Sequence, residues 1–431
     1  MNGLKKLLVV LMLLVVSNFA EDTIAGNYDD SFFNTLYSLY DNEEFFRFRN
    51  MLEASGPGLE SWQILYFEAL YQSINNKPNR SNEFADSLIN NFSDSFPDSL
   101  KKDIYSVMIT NYVHLRNYKK AMEITQTVLN KFGNDLKPNE KENYLNTGII
   151  WEILKDLPPQ IAEIKGDTKL KFGSSFAGKT INVKINGDES EFIFDTGANF
   201  SVVMKSYAKK VGIKILKGTF KVNSVTGTKV DSEVGYAEEV KIGNMIFRNV
   251  VFLVFPDEAL TFSMGLSIEA IIGFPIIRDM REIRISEDGM FIPLNPDTKA
   301  YNNFLLNGFS PIIEMLKGKD SLSFAFDTGA KRTMLYQPYY NFYKSEIDGK
   351  YEPEEIKVEG AGGAKYFKGF KLNNINLKTA NVSYTLEDVD LISESIEGRE
   401  SKYFGNLGRD YIWQYRSYTI NFETMFIDFK K

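Results

Sequence analysis

The sequence predicts a multidomain chain, with an N-terminal all-α helical repeat region followed by an all-β half made of two related lobes. Three observations carry this prediction. Apolar residues recur at three- and four-residue steps as far as Ile153, the spacing of one helix face. After Thr168 the period falls to two, in short runs broken by Gly, Asn and Asp, as in strands joined by tight turns. The tetrapeptide Asp-Thr-Gly-Ala is written twice, at 195–198 and at 327–330, each time straight after an apolar run.

The length of 431 residues exceeds one typical domain, and 43% apolar with 25% charged residues is the composition of an ordinary globular protein. The net charge of −7 gives no basic face for nucleic acid. With one histidine, His114, and no cysteine, a Ser-His-Asp triad, a thiol nucleophile, a disulfide and a Cys-ligated metal are all excluded or improbable. Hydrolytic chemistry is left mainly to carboxylates, with no metal or other cofactor expected.

At the N-terminus, Lys5 and Lys6 precede an apolar run from Leu7 to Val16 and then small and polar residues up to Ala20. That order predicts a secretory signal peptide over 1–20 and export to the periplasm, cell envelope or medium. The run is short for a bilayer span, and no later stretch is apolar enough to be one.

A helical domain is expected over 21–153. Residues 106–132 resemble a tetratricopeptide unit: two amphipathic helices, a tight turn at "LRNY", and Ala121 where the helices approach closely. A weaker copy places Ala85 in the corresponding role. His114 lies inside this unit and reads as a packing residue. Such stacked helices imply a possible protein partner. The prolines of "KDLPPQ" end the helices, with a linker at 154–167.

The two tetrapeptides have matching surroundings. Each follows a strand, a turn at Gly187 or Gly318, and a second strand delivering the Asp. Downstream, "AIIGFPIIRDMREIRI" (270–285) matches "GNLGRDYIWQYRSYTI" (405–420) when Gly273 is set on Gly408. The chain therefore carries an internal duplication, with lobe 1 at 168–296 and lobe 2 at 297–431. An Asp at the end of each strand points a carboxylate at one interlobe cleft. Gly197 and Gly329 allow close backbone approach and free amides, and Thr196 and Thr328 have hydroxyls able to bond across the junction.

This set of motifs resembles the aspartic protease family, the retropepsin branch in its alanine and lobe length, and the pepsin-like branch in holding both lobes in one chain. It is also similar to exported bacterial proteins that join helical repeats to such a protease. The resemblance implies a dyad of Asp195 and Asp327 sharing one proton, with no metal, and an extended peptide or protein substrate. It further implies substrate contacts at Ala198, Asn199 and Phe200, at Ala330, Lys331 and Arg332, and at two glycine-bearing hairpins that hold Val225 and Gly227 in one lobe and Gly360 and Gly362 in the other. If Lys331 and Arg332 line the cleft, an acidic substrate residue is expected beside them. An inactive peptide-binding relative, or a scaffold working through its helices, are the alternative readings.

Overall fold

The computed structural model describes residues 31–54, 58–223, 229–261, 265–299, 301–360, 363–380, 382–396 and 402–431. The expected signal peptide, Val225, Gly227 and Gly362 lie outside them. The chain forms two units, a helical one ending at Pro159, with which Leu305–Gly308 is grouped, and a β-rich one made of Gln160–Phe304 and Phe309–Lys431. No helix among the described residues is long and apolar enough to cross a membrane.

In the helical unit, successive helices form antiparallel hairpins. Ser61–Ile74 turns into Pro78–Phe92, and Asp98–His114 turns into Tyr118–Phe132. Each turn has a non-glycine residue in left-handed backbone, Asn76 at φ 56° and Arg116 at φ 60°. The following amides close the helix ends alike, Lys77 N donating to Gln72 O and Asn117 N to Tyr112 O. Pro78 opens its helix where no amide partner is needed, and the Asn117 side chain caps the other by accepting from Lys120 N at 3.1 Å. This register makes Ser81 the counterpart of Ala121 and places Ala85 opposite Thr125, so the sequence pairing of Ala85 with Ala121 is four residues out of step. Ser81 and Ala121 are both fully buried. Ser81 fits the tight site because its hydroxyl donates to Ala69 O at 2.6 Å.

Asp103 is buried in this unit, where the Tyr66 hydroxyl donates to its Oδ2 at 2.9 Å. Burial pushes its carboxyl up to about 8, which the Tyr66 hydrogen bond and Lys102 only partly oppose.

The β-rich unit starts earlier than expected, since strand Ile161–Ile164, inside the presumed linker, pairs with Met245–Arg248. Each lobe is a ten-stranded sheet of the same plan. In lobe 1, Gly178–Ile185 and Asp188–Phe194 form a hairpin whose turn puts Asn186 and Gly187 at positive φ. Lobe 2 repeats it with Ser310–Lys317 and Asp320–Phe326 around Gly318. A third, five-stranded sheet joins the lobes, in the order Thr168–Lys171, Gly289–Ile292, Glu282–Ser286, Ser417–Asn421, Phe426–Lys430.

The central pairing of that sheet sets Arg284 opposite Thr419, its own counterpart when Gly273 is set on Gly408. An antiparallel pair whose facing residues are duplicates of each other lies on a local two-fold axis, as in a symmetric dimer interface. Glu282 is buried there, accepting from Arg284 Nε, Asn421 Nδ2 and Asp297 N at 2.7 Å each. Aromatic rings extend the junction: Phe200 and Phe274 of lobe 1 lie 5.3 and 5.9 Å from Phe309, and Phe274 lies 5.8 Å from Phe422.

Asp103 yields a stability prediction for the helical unit. Its folded-state carboxyl holds a proton that the unfolded chain releases near pH 4, so stability falls as pH rises from about 4 to about 8. Asp103→Asn keeps an acceptor for Tyr66 and removes the charge. Melting followed by helical circular dichroism is expected to show the variant more stable than wild type at pH 8, with the gap closing towards pH 4. A gap that does not change with pH contradicts the assignment.

Candidate active site

The local fold aims each aspartate from the end of a strand. Asp188–Phe194 runs parallel to Ala270–Ile272, which in turn pairs antiparallel with Ser201–Met204. Asp320–Phe326 stands in the same relation to Gly405–Leu407 and Met334–Leu335. Asp195 N donates to Ile272 O and Asp327 N to Leu407 O, both at 3.1 Å, so the two aspartates leave their strands at equivalent points. Gly273 N and Gly408 N then find equivalent hydroxyl acceptors, Ser201 Oγ and Thr333 Oγ1, each at 3.1 Å.

The two motif glycines are required by close approach. A Cβ at Gly197 would stand 2.6 Å from Asp327 Cγ, and one at Gly329 would stand 2.4 Å from Asp195 Oδ2. Each lobe's glycine backbone thus lies against the other lobe's carboxylate, and any side chain would separate the pair.

The motif threonines grip each other. Thr196 N donates to Thr328 Oγ1 and Thr328 N to Thr196 Oγ1, both at 3.0 Å. Each hydroxyl passes its own proton to the strand end of the opposite lobe, Thr196 Oγ1 to Phe326 O at 2.9 Å and Thr328 Oγ1 to Phe194 O at 3.2 Å. Both loops are therefore held by four reciprocal bonds in a buried environment, where an unpaired amide or carbonyl is costly.

The carboxyls held this way are unequal. Asp327 Oδ1 accepts from Gly329 N at 2.8 Å and Ala330 N at 2.9 Å, and its Oδ2 accepts from Asn406 Nδ2 at 2.9 Å. Among the described residues, Asp195 Oδ1 accepts from Gly197 N alone, at 2.8 Å, and no group donates to its Oδ2. Asp195 is 1% exposed and Asp327 0%. Burial, then the charge of Asp327, pushes Asp195 well above the usual carboxylate range. Burial also raises Asp327, but its three donors oppose the shift. The donor set therefore favours the charged form at Asp327 over the charged form at Asp195.

Of the other residues singled out in the sequence, Ala198 and Ala330 are buried beside their aspartates, and Asn199 is buried with its Oδ1 unbonded. Phe200 belongs to the aromatic junction. Lys331 is exposed, whereas Arg332 Nη1 pairs with Asp388 Oδ2 at 3.0 Å, so the expected cationic patch is half neutralised. Gly360 ends strand Glu354–Gly360 and pairs with Gly363 across the hairpin tip. The corresponding lobe 1 hairpin joins Phe220–Asn223 to Lys229–Ile242. The sequence reading missed Asn406 and Arg409. The signal for Asn406 was present, since "GNLG" puts an amide where the first lobe's "AIIG" has Ile271. Arg409, half-buried, acts on Asp195 by its charge in the sense opposite to burial.

The grip predicts a difference between two near-isosteric changes. Thr196→Val strips Thr328 N of its acceptor and Phe326 O of its donor, and is expected to destabilise the β-rich unit by about 2–4 kcal/mol. Thr196→Ser keeps both bonds and is expected to stay within about 1 kcal/mol of wild type. Denaturant unfolding measures both, and equal losses contradict the role of the hydroxyl.

Residues 181–276, which contain the first Asp-Thr-Gly-Ala and the Gly273 segment, match the family model described as aspartyl protease. No curated protein matches the chain. Among solved structures, a retropepsin-like aspartic protease from Rickettsia conorii is 20% identical over 31% of this chain and 94% of its own, with a TM-score of 0.21. Lobe 1 is thus similar in sequence to the aspartyl proteases.

Proposed function

We propose that the chain is an aspartic endopeptidase that hydrolyses peptide bonds with water activated between Asp195 and Asp327. The observation that carries this reading is the pair of buried, facing carboxyls with unequal donor sets, an arrangement that sorts them into one base and one acid. Asp327, charged, takes a proton from the water as its oxygen forms a bond to the scissile carbonyl carbon. Asp195 donates its proton to the carbonyl oxygen, giving a neutral tetrahedral diol. Collapse of the diol returns a proton to Asp195, the proton on Asp327 passes to the departing nitrogen, and the C–N bond breaks. The two hairpins offer edges along which an extended substrate strand can be held by backbone hydrogen bonds.

The charge order of residues 1–20 supports export as the setting of this activity, and the stacked helical hairpins support a protein-binding role for the N-terminal unit, in the manner of tetratricopeptide repeats.

Asp195→Asn and Asp327→Asn are each expected to lower peptide hydrolysis by at least about 10²-fold, while the fold survives. A variant that retains more than about a tenth of the wild-type rate contradicts the dyad. Asn406 provides a separate test through pH. Its amide favours the charged form of Asp327, so Asn406→Ile raises the proton affinity of the base. The acidic limb of the kcat/KM profile is then expected to move upward by about one to two pH units. An unmoved limb would show that Asn406 does not set the charge of the base.

A further inference from the structure

The sheet that holds Asp327 has a polar stripe where its duplicate in lobe 1 has an apolar one. Residues paired across neighbouring strands project from the same face. In lobe 1 the register runs Ile193, Ile271, Val202, Leu253, Val234, all buried. In lobe 2 the equivalent register runs Ala325, Asn406, Met334, Asp390, Lys371. Asn406 donates to Asp327, so this is the face of the sheet that borders the dyad. Asp390 lies two strands from Asn406 on that face, about 10 Å at the usual strand spacing.

Two acceptors on this stripe have no donor. Asn406 is 2% exposed and Asp390 8% exposed, and Asn406 Oδ1 and Asp390 Oδ1 receive no hydrogen bond from any described group. The neighbouring Lys371 directs its Nζ towards Glu354, 4.0 Å away, and makes no ion pair with Asp390. A buried carboxyl oxygen without a donor is costly, and the equivalent register position of lobe 1 holds a plain leucine, Leu253. The polar pair is thus a built-in demand for a donor from outside the chain.

We propose that lobe 2 accepts a substrate side chain bearing a cationic donor, lysine or arginine, within two residues of the scissile bond, seated on Asp390 and Asn406, while lobe 1 accepts an apolar one. This rests on the peptidase reading above and adds its substrate class. It is independent of the acidic preference expected at Lys331 and Arg332, of which Arg332 is paired with Asp388. Met334, between the two polar groups, is apolar and covers the stem of such a side chain, leaving its charged end for Asp390.

The test uses the full-length protein and matched peptides that differ only by Lys or Leu at each position around one cleavable bond. Wild type is expected to favour Lys about tenfold or more in kcat/KM at one position on one side of the bond only. Asp390→Asn should remove that preference, and Asp390→Leu, which installs the lobe 1 residue, should invert it. Loss on Lys and Leu peptides alike in both variants would mean a structural role and overturns the inference. A second arm measures binding of the same fluorescent peptides to the Asp195→Asn protein. Cleavage without a basic preference overturns the inference and leaves the peptidase reading intact. Absence of cleavage, with Lys-over-Leu binding that Asp390→Leu abolishes, supports the subsite and overturns the peptidase reading. Absence of both cleavage and charge-dependent binding overturns the two together.

Discussion

Two carboxyl groups, buried almost completely and facing each other across the lobe junction, cannot both be charged. Everything around them manages that constraint. The threonine grip fixes the distance between the loops, and Gly197 and Gly329 let each backbone approach the opposite carboxyl. Among the described residues Asp327 collects three donors and Asp195 one, which favours a negative charge on Asp327 over one on Asp195. A network of this kind is worth more than its pairwise bonds, because in a dry site each unmade bond is costly.

The two lobes share one strand plan and meet in the manner of a two-fold dimer. The strand pairing that sets Arg284 against Thr419, its counterpart in the other lobe, lies at the centre of that junction. The halves differ, and the differences follow a pattern. Phe200 and Phe274 pack into the aromatic junction on the lobe 1 side. Their lobe 2 counterparts are Arg332, paired with Asp388, and Arg409, whose charge reaches the dyad. Where lobe 1 has Ile271 and Leu253, lobe 2 has Asn406 and Asp390. The lobe 1 side of the junction is thus the more apolar and the lobe 2 side the more polar.

The sequence made the dyad and its supports legible because they are locally encoded. An Asp at a strand end, a glycine two residues on, and a second glycine segment some 80 residues later are spacings that a linear reading detects, and their repetition removes chance. The reading failed where the outcome depends on which way a side chain points. Arg332 looked like a cleft cation, but Asp388, distant in sequence, claims it. Phe200 stands directly after the motif, and its ring packs against Phe309 of the other lobe, which its place in the sequence does not announce. The Ala85 pairing slipped by four residues because a helix tolerates a small residue one turn away. The register was fixed instead by the left-handed turns at Asn76 and Arg116, which no glycine announced.

The most direct measurement is a carbon-13 NMR titration of aspartate carboxyls, with the dyad resonances assigned by their loss in Asp195→Asn and in Asp327→Asn. The account predicts that the two resonances titrate as a coupled pair and that together they keep one proton through neutral pH, held mainly on Asp195. Two resonances that both lose their protons near pH 4, independently of each other, would contradict it.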